Sequence, residues 1–231
     1  MLLGWLLFCV TFYYAWRFLG RDNPWPRRFL SGVGRIAGAR VKVVGSKPDV
    51  AFLVSNHSSW LDVPVIAGAT GSAFVAHDGL AQFPLLRRLC EMNDTVFIAR
   101  GNRASVAGQV RQVRQALHDT GMLTVFPEGT TEAGDALLPF KSSLLSALDP
   151  LPDGIAVHPL WVDYGPETRD IAWIGEEHGV ANFLKIMARN RPLPVTLHIL
   201  PALAGEALAN RKSMAAAAQK AIEAAMAGAR A

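Results

Sequence analysis

Apolar and polar positions follow two different rhythms along this chain. From residue 41 onward, short apolar runs recur at 41–44, 50–55, 73–76, 95–99, 122–126, 156–162 and 195–200, and each reads as a strand. Between two of them, 103–119 places Val106, Val110, Val113 and Leu117 on one helical face, with Gly121 as a stop. Shorter helices fit 63–69, 142–148 and 181–188. The Ala-rich tail 213–227 reads as a surface helix turned inward through Met214, Ala218, Ile222 and Met226. No internal repeat is present. Strands alternating with helices predict an α/β fold, a mostly parallel sheet flanked by helices.

The first 40 residues have another character. Residues 1–19 carry no charge until Arg17, and as a helix they would be roughly 28 Å long, close to the hydrocarbon thickness of a bilayer. Tyr13, Tyr14 and Trp16 gather at the end next to Arg17 and Arg21, as in an aromatic belt on the cytoplasmic side. Residues 23–39 open on a turn and then space Phe29, Leu30, Val33, Ile36 and Ala37 helically, with Arg27, Arg28 and Arg35 among them. That pattern suits a helix in a lipid interface, or one packed on the first helix. The expected organisation is an N-terminal membrane-associated helical segment, 1–40, followed by one domain, 41–231.

Charge sharpens this picture. Residues 1–48 hold eight basic side chains against Asp22 alone, an excess of seven, so in a chain of net charge +4 the remainder sums to −3. A nucleic-acid binder would spread basic charge over its folded domain, so no nucleic-acid partner is expected. Positive charge beside an apolar N-terminus instead suits anionic lipid headgroups. Hydrophobic residues make up 51% of the chain and charged residues 18%, a greasy composition for a soluble enzyme. Cys9 and Cys90 are the only cysteines, which excludes a disulfide framework and a CxxC metal site. The histidines form no metal-ligand spacing, so no metal is expected.

Candidate chemistry centres on Asn56-His57-Ser58-Ser59-Trp60-Leu61-Asp62, directly after the apolar run 50–55. His57 falls on the turn between strand and helix, where α/β folds keep reactive groups. Ser58 or Ser59 can cap a helix whose first turn contains Asp62, with Pro64 tolerated near its start. On a regular helix His57 and Asp62 would point about 140° apart, so they meet only if His57 lies outside the helix and Asp62 turns back. In that geometry the carboxylate takes the Nδ1–H, fixes the tautomer and leaves Nε2 as a base. Asn56 either holds the loop or stabilises an oxyanion.

Three further segments follow in order: 96–100 (V-F-I-A-R), 125–130 (V-F-P-E-G-T) and 155–160 (I-A-V-H-P-L). Together with the first, they resemble the four blocks of the glycerolipid acyltransferase family, which includes 1-acylglycerol-3-phosphate acyltransferases. The resemblance runs from about residue 50 to 164. It implies acyl transfer from acyl-CoA or acyl carrier protein to a lysophospholipid at the cytoplasmic face of the membrane, with no resident cofactor. His57 would be the general base and Asp62 its partner.

Arg100 ends an apolar strand, an expensive place for a cation without an anion, and the resemblance implies that it binds the acceptor's phosphate. Glu128 can accept hydrogen bonds from the acceptor or brace Arg100 or Lys141. Gly129 permits close backbone approach, and Thr130 and Thr131 offer hydroxyls and N–H groups. His158-Pro159 would shape the wall of the site. The chain departs from the family pattern at His77 and Thr131, where Lys and Arg are usual, and at Asp94, where Gly is common. A pocket short of cations leaves two acceptors open, 1-acylglycerol-3-phosphate and the phosphate-free lyso-ornithine lipid. A non-catalytic lipid-binding protein on the same fold is a third reading.

Overall fold

A computed structural model describes residues 1–19, 23–77, 82, 84–98 and 106–230. The seven predicted strands form one sheet: β1 (Ala39–Val44), β2 (Ala51–Ser55), β3 (Ala73–His77), β4 (Val96–Ile98), β5 (Met122–Val125), β6 (Ala156–Asp163) and β7 (Leu193–Ile199). Their order is β1-β7-β6-β2-β5-β3-β4. Every neighbouring pair is parallel except β6 and β7, so β1 and β7 run against the other five. β2 shows why the apolar runs are continuous. Ala51 and Leu53 enter one hydrophobic cluster, Phe52 and Val54 the other, and all four are fully buried.

The helices are α1 (Leu2–Arg17), α2 (Trp25–Ile36), α3 (Asp62–Thr70), α4 (Pro84–Met92), α5 (Val106–Thr120), α6 (Thr168–Ile171), α7 (Gly179–Met187) and α8 (Arg211–Arg230). One face of the sheet is covered by α2, α3 and α7 through Leu30, Ile66 and Ile186, the other by α5 and α8 through Leu117 and Met214. In α8 the inward row Met214, Ala218, Ile222 and Met226 is buried as the spacing predicts. Ser142–Leu148 is a 3-10 helix instead of an α-helix. Neither α4 nor α6 was predicted. At nine and four residues they give periodicity too little length to register.

The N-terminus departs from a spanning helix. α1 has 16 residues, roughly 24 Å, and no helix among the described residues is long and apolar enough to cross a membrane. α1 lies on α2: Trp5 Nε1–H donates to the Phe29 carbonyl at 3.1 Å, and Phe12 stacks on Trp25 at 4.8 Å. Gly32 is required there, because a Cβ would sit 2.1 Å from the Trp5 indole nitrogen. α2 in turn packs on α3, where a Cβ on Gly68 would come within 2.9 Å of Ser31. The apolar face of α2 is therefore turned into the protein. Arg27, expected to face lipid phosphates, donates to the Gly68 and Ala69 carbonyls in the last turn of α3. Arg28 lies over the Trp25 ring at 4.9 Å. Leu3, Leu7 and Tyr14 of α1 are exposed, while Phe8 and Phe12 stay partly exposed where they pack on Trp25 of α2.

β2, β5 and β6 are adjacent and parallel, so the residues leaving their carboxyl ends converge. Those residues are Asn56 and His57, Phe126 to Glu128, and Tyr164. Ligand sites of α/β sheets form at such ends.

Candidate active site

Asp62 opens α3 and turns its carboxylate back over the preceding loop. Oδ2 accepts hydrogen bonds from His57 Nδ1 at 2.8 Å and from the backbone N–H groups of Ser58 at 2.8 Å and Ser59 at 2.9 Å. Oδ1 accepts the Tyr164 hydroxyl at 2.6 Å. A carboxylate can only accept, so the imidazole proton lies on Nδ1 and the Nε2 lone pair stays available. The His57 side chain is 20% exposed while that of Asp62 is fully buried. Phe126 stacks on the imidazole at 4.1 Å, with Phe74 behind it at 5.9 Å from Phe126. The expected serine cap is corrected. α3 has no side-chain cap, and Asp62 satisfies the serine amides while the Ser59 hydroxyl accepts from Leu61 N at 3.3 Å.

Glu128 braces the same loop from β5. Its Oε1 accepts the His57 N–H at 2.8 Å, and its Oε2 accepts the Leu138 N–H at 2.9 Å. Both oxygens are thus engaged within the protein, so the side chain is 1% exposed and positions His57. Burial pushes its proton affinity up, to a pKa of about 7, against the opposing pull of the Leu138 and His57 amides. The loop is also tied by Glu132 N–H to the His57 carbonyl at 2.9 Å and by Trp173 N–H to the Ser58 carbonyl at 2.9 Å.

The remaining candidates divide by position. Asn56 exchanges two hydrogen bonds with Val162, at 3.2 Å and 2.7 Å, and so joins the β2 loop to β6. Gly129 adopts φ +71°, the left-handed region its turn requires, and donates to the Phe126 carbonyl at 3.1 Å. Thr130 is exposed beside it. The Thr131 hydroxyl donates to the Trp173 carbonyl, which ties it to the loop instead of a ligand. His158 lies within β6, its Nδ1 bonded to the Leu200 carbonyl at 2.8 Å, and so braces the sheet instead of lining the site. Arg100 and Arg103 lie outside the described residues, as does the side chain of His77. Among the described residues no three His, Cys, Asp or Glu side chains group as a metal site.

Tyr164, Leu138 and Trp173 belong to the site and escaped the sequence reading. Tyr164 is 102 positions from Asp62, and a buried tyrosine after an apolar run has no local signature. Trp173 contributes only backbone groups. A register argument that paired the ends of β2 and β6 would have brought Tyr164 alongside.

Residues 40–163 match the family described as Acyltransferase. The lyso-ornithine lipid O-acyltransferase of Brucella abortus is 31% identical over 140 residues, 58% of this chain and 52% of that protein. The protein of that name from Rhizobium meliloti is 30% identical over 205 residues, 82% of this chain and 70% of its own length. A 1-acyl-sn-glycerol-3-phosphate acyltransferase of Neisseria gonorrhoeae is 34% identical over 103 residues, 44% of this chain and 40% of that protein. In fold, the chain resembles the crystal structure of the 1-acyl-sn-glycerophosphate acyltransferase PlsC from Thermotoga maritima. The TM-score is 0.61 at 23% identity, covering 98% of this chain and 95% of the other.

The Glu128 brace is testable through pH. Its raised folded pKa favours the folded state below the ordinary value of 4.5, and that contribution is lost as pH rises through about 7. Glu128→Gln does not titrate, so the stability of the wild type relative to this variant is expected to fall between those limits in thermal melts. Gln also offers one acceptor where two amides need two, so turnover of the folded variant should drop at least about tenfold. A pH-independent stability difference together with normal turnover contradicts the assignment.

Proposed function

The chain belongs to the acyltransferase family, and from that premise we propose that it moves a fatty acyl group from a thioester donor, acyl-CoA or acyl carrier protein, to the hydroxyl of a lyso-lipid. The carrying observation is the 2.8 Å bond from His57 Nδ1 to buried Asp62, with Nε2 free of partners among the described residues. Nε2 takes the acceptor's hydroxyl proton as that oxygen attacks the thioester carbonyl. The new C–O bond forms, the C–S bond breaks on collapse of the tetrahedral intermediate, and the imidazolium proton passes to the departing sulfur. Asp62 stabilises the imidazolium in between. No acyl-enzyme is required.

The acceptor we favour is lyso-ornithine lipid. Relatives carrying that name align over a longer share of both chains than the glycerophosphate acyltransferase of Neisseria gonorrhoeae. The pocket also has Thr131, committed to Trp173, where a phosphate site would use a cation. The second reading, 1-acylglycerol-3-phosphate, is favoured by Arg100 in its block and by that Neisseria relative. Steady-state kinetics on both acceptors separate them. With lyso-ornithine lipid as substrate, His77→Lys with Thr131→Arg is expected to give no gain or a loss. A salt-sensitive drop in KM for 1-acylglycerol-3-phosphate in this double variant would support the second reading.

We propose that the reaction runs at the cytoplasmic membrane surface, with exposed Leu3 and Leu7 of α1 against lipid and Arg28 and Arg35 among the residues lining the groove between α1 and α2. Arg28→Gln with Arg35→Gln is expected to weaken binding to anionic vesicles at least about tenfold at low salt, at about 1 kcal/mol per basic residue. Arg27 is left in place because it braces α3. Unchanged vesicle binding contradicts this surface.

A further inference from the structure

We infer that Tyr164 is a positioning residue, whose hydroxyl holds the buried Asp62 carboxylate in the orientation and charge state that keep His57 a base. The inference rests on the acyl-transfer reading for its kinetic consequence and on geometry for its cause. Three donors converge on Asp62 Oδ2, whereas the Tyr164 hydroxyl, at 2.6 Å, is the one donor to Oδ1 among the described residues. Asp62 is fully buried and Tyr164 is 1% exposed, so water does not take that place. The tyrosine ring is locked in the core with Leu61, Ile171 and Ile186, which fixes where the hydroxyl points. It lies one position beyond the segment 40–163 that matches the family.

A buried carboxylate that loses a donor holds a proton more tightly, because the charged form alone loses the bond. Deleting the hydroxyl therefore makes the His57–Asp62 pair take up its proton at higher pH, and the pair is then protonated when it should act as a base. The titratable groups facing Asp62 are His57 on its own loop, Tyr164 from the end of β6 and Glu128 from the turn after β5. α2 contributes Arg27, at the opposite end of α3. Burial and the Asp62 charge push the Tyr164 phenol well above its ordinary range, so it remains a donor.

The test is Tyr164→Phe, which keeps the ring and removes one oxygen. Histidine-labelled protein is titrated by NMR with no substrate present, and kcat and KM are measured beside it. The expected results are a His57 titration and an acid limb of the rate profile both raised by about one pH unit, kcat lowered about 10- to 100-fold, and acceptor KM within about twofold. In the Asp62→Asn background the same change should cost no further turnover. Superposed titrations with kcat unchanged, or losses that multiply in the double variant, overturn the inference. If Tyr164→Phe is too unstable to assay, Asp62→Asn must restore its melting temperature, and a double variant no more stable overturns it as well. If no lyso-lipid is acylated even by the wild type, the function fails separately, and the substrate-free titration still decides the role of Tyr164.

Discussion

The site depends on one buried charge. Asp62 has no solvent contact, and the partners of its carboxylate are two backbone amides, an imidazole and a phenol. A carboxylate so placed must be satisfied by donors, or folding would neutralise it. That need explains the shape of the loop. Ser58 and Ser59 turn their amides inward, which brings His57 round to meet a side chain five positions later. The spacing of the two residues follows from a turn closed on a carboxylate, not from a helical face.

Glu128 meets the same need from the turn after β5. It is also buried and accepts two amide hydrogen bonds, yet burial outweighs them and its pKa rises to about 7. Asp62 has four donors where Glu128 has two. Their partners differ too, since Asp62 faces the imidazole of His57, whereas Glu128 holds backbone amides in place. The adjacency of β2, β5 and β6 makes both possible, because it joins chain segments about 70 and 100 residues apart into one pocket wall.

Much of this was legible in the residues. Seven apolar runs became seven strands, and the central ones are continuously apolar because they are buried on both faces, as β2 is, whereas β1 at the edge is mostly exposed. The His57–Asp62 contact was legible because its partners are close in sequence. Long-range partners were not: Tyr164, the Leu138 amide on Glu128 and the Trp173 carbonyl on Thr131 are set by sheet order, which no local pattern encodes. The pairing of Asn56 with Val162, 106 positions on, is long-range in the same way. The N-terminal apolar run was read by length and charge as a helix that could span. Glycines outside that run carried the better information, since Gly32 of α2 and Gly68 of α3 allow α1, α2 and α3 to approach closely. Arg27 likewise looked like a lipid contact, and only the fold shows it braced on the end of α3.

The central claim is that a histidine tethered to a buried carboxylate performs acyl transfer. The direct measurement is transfer of a labelled acyl group from acyl-CoA or acyl carrier protein to lyso-lipid in vesicles, by purified wild type and by His57→Ala, with folding checked in each. The account predicts wild-type product and a loss of about 10² or more in the variant, with vesicle binding unchanged. Equal turnover in a folded His57→Ala protein would contradict it.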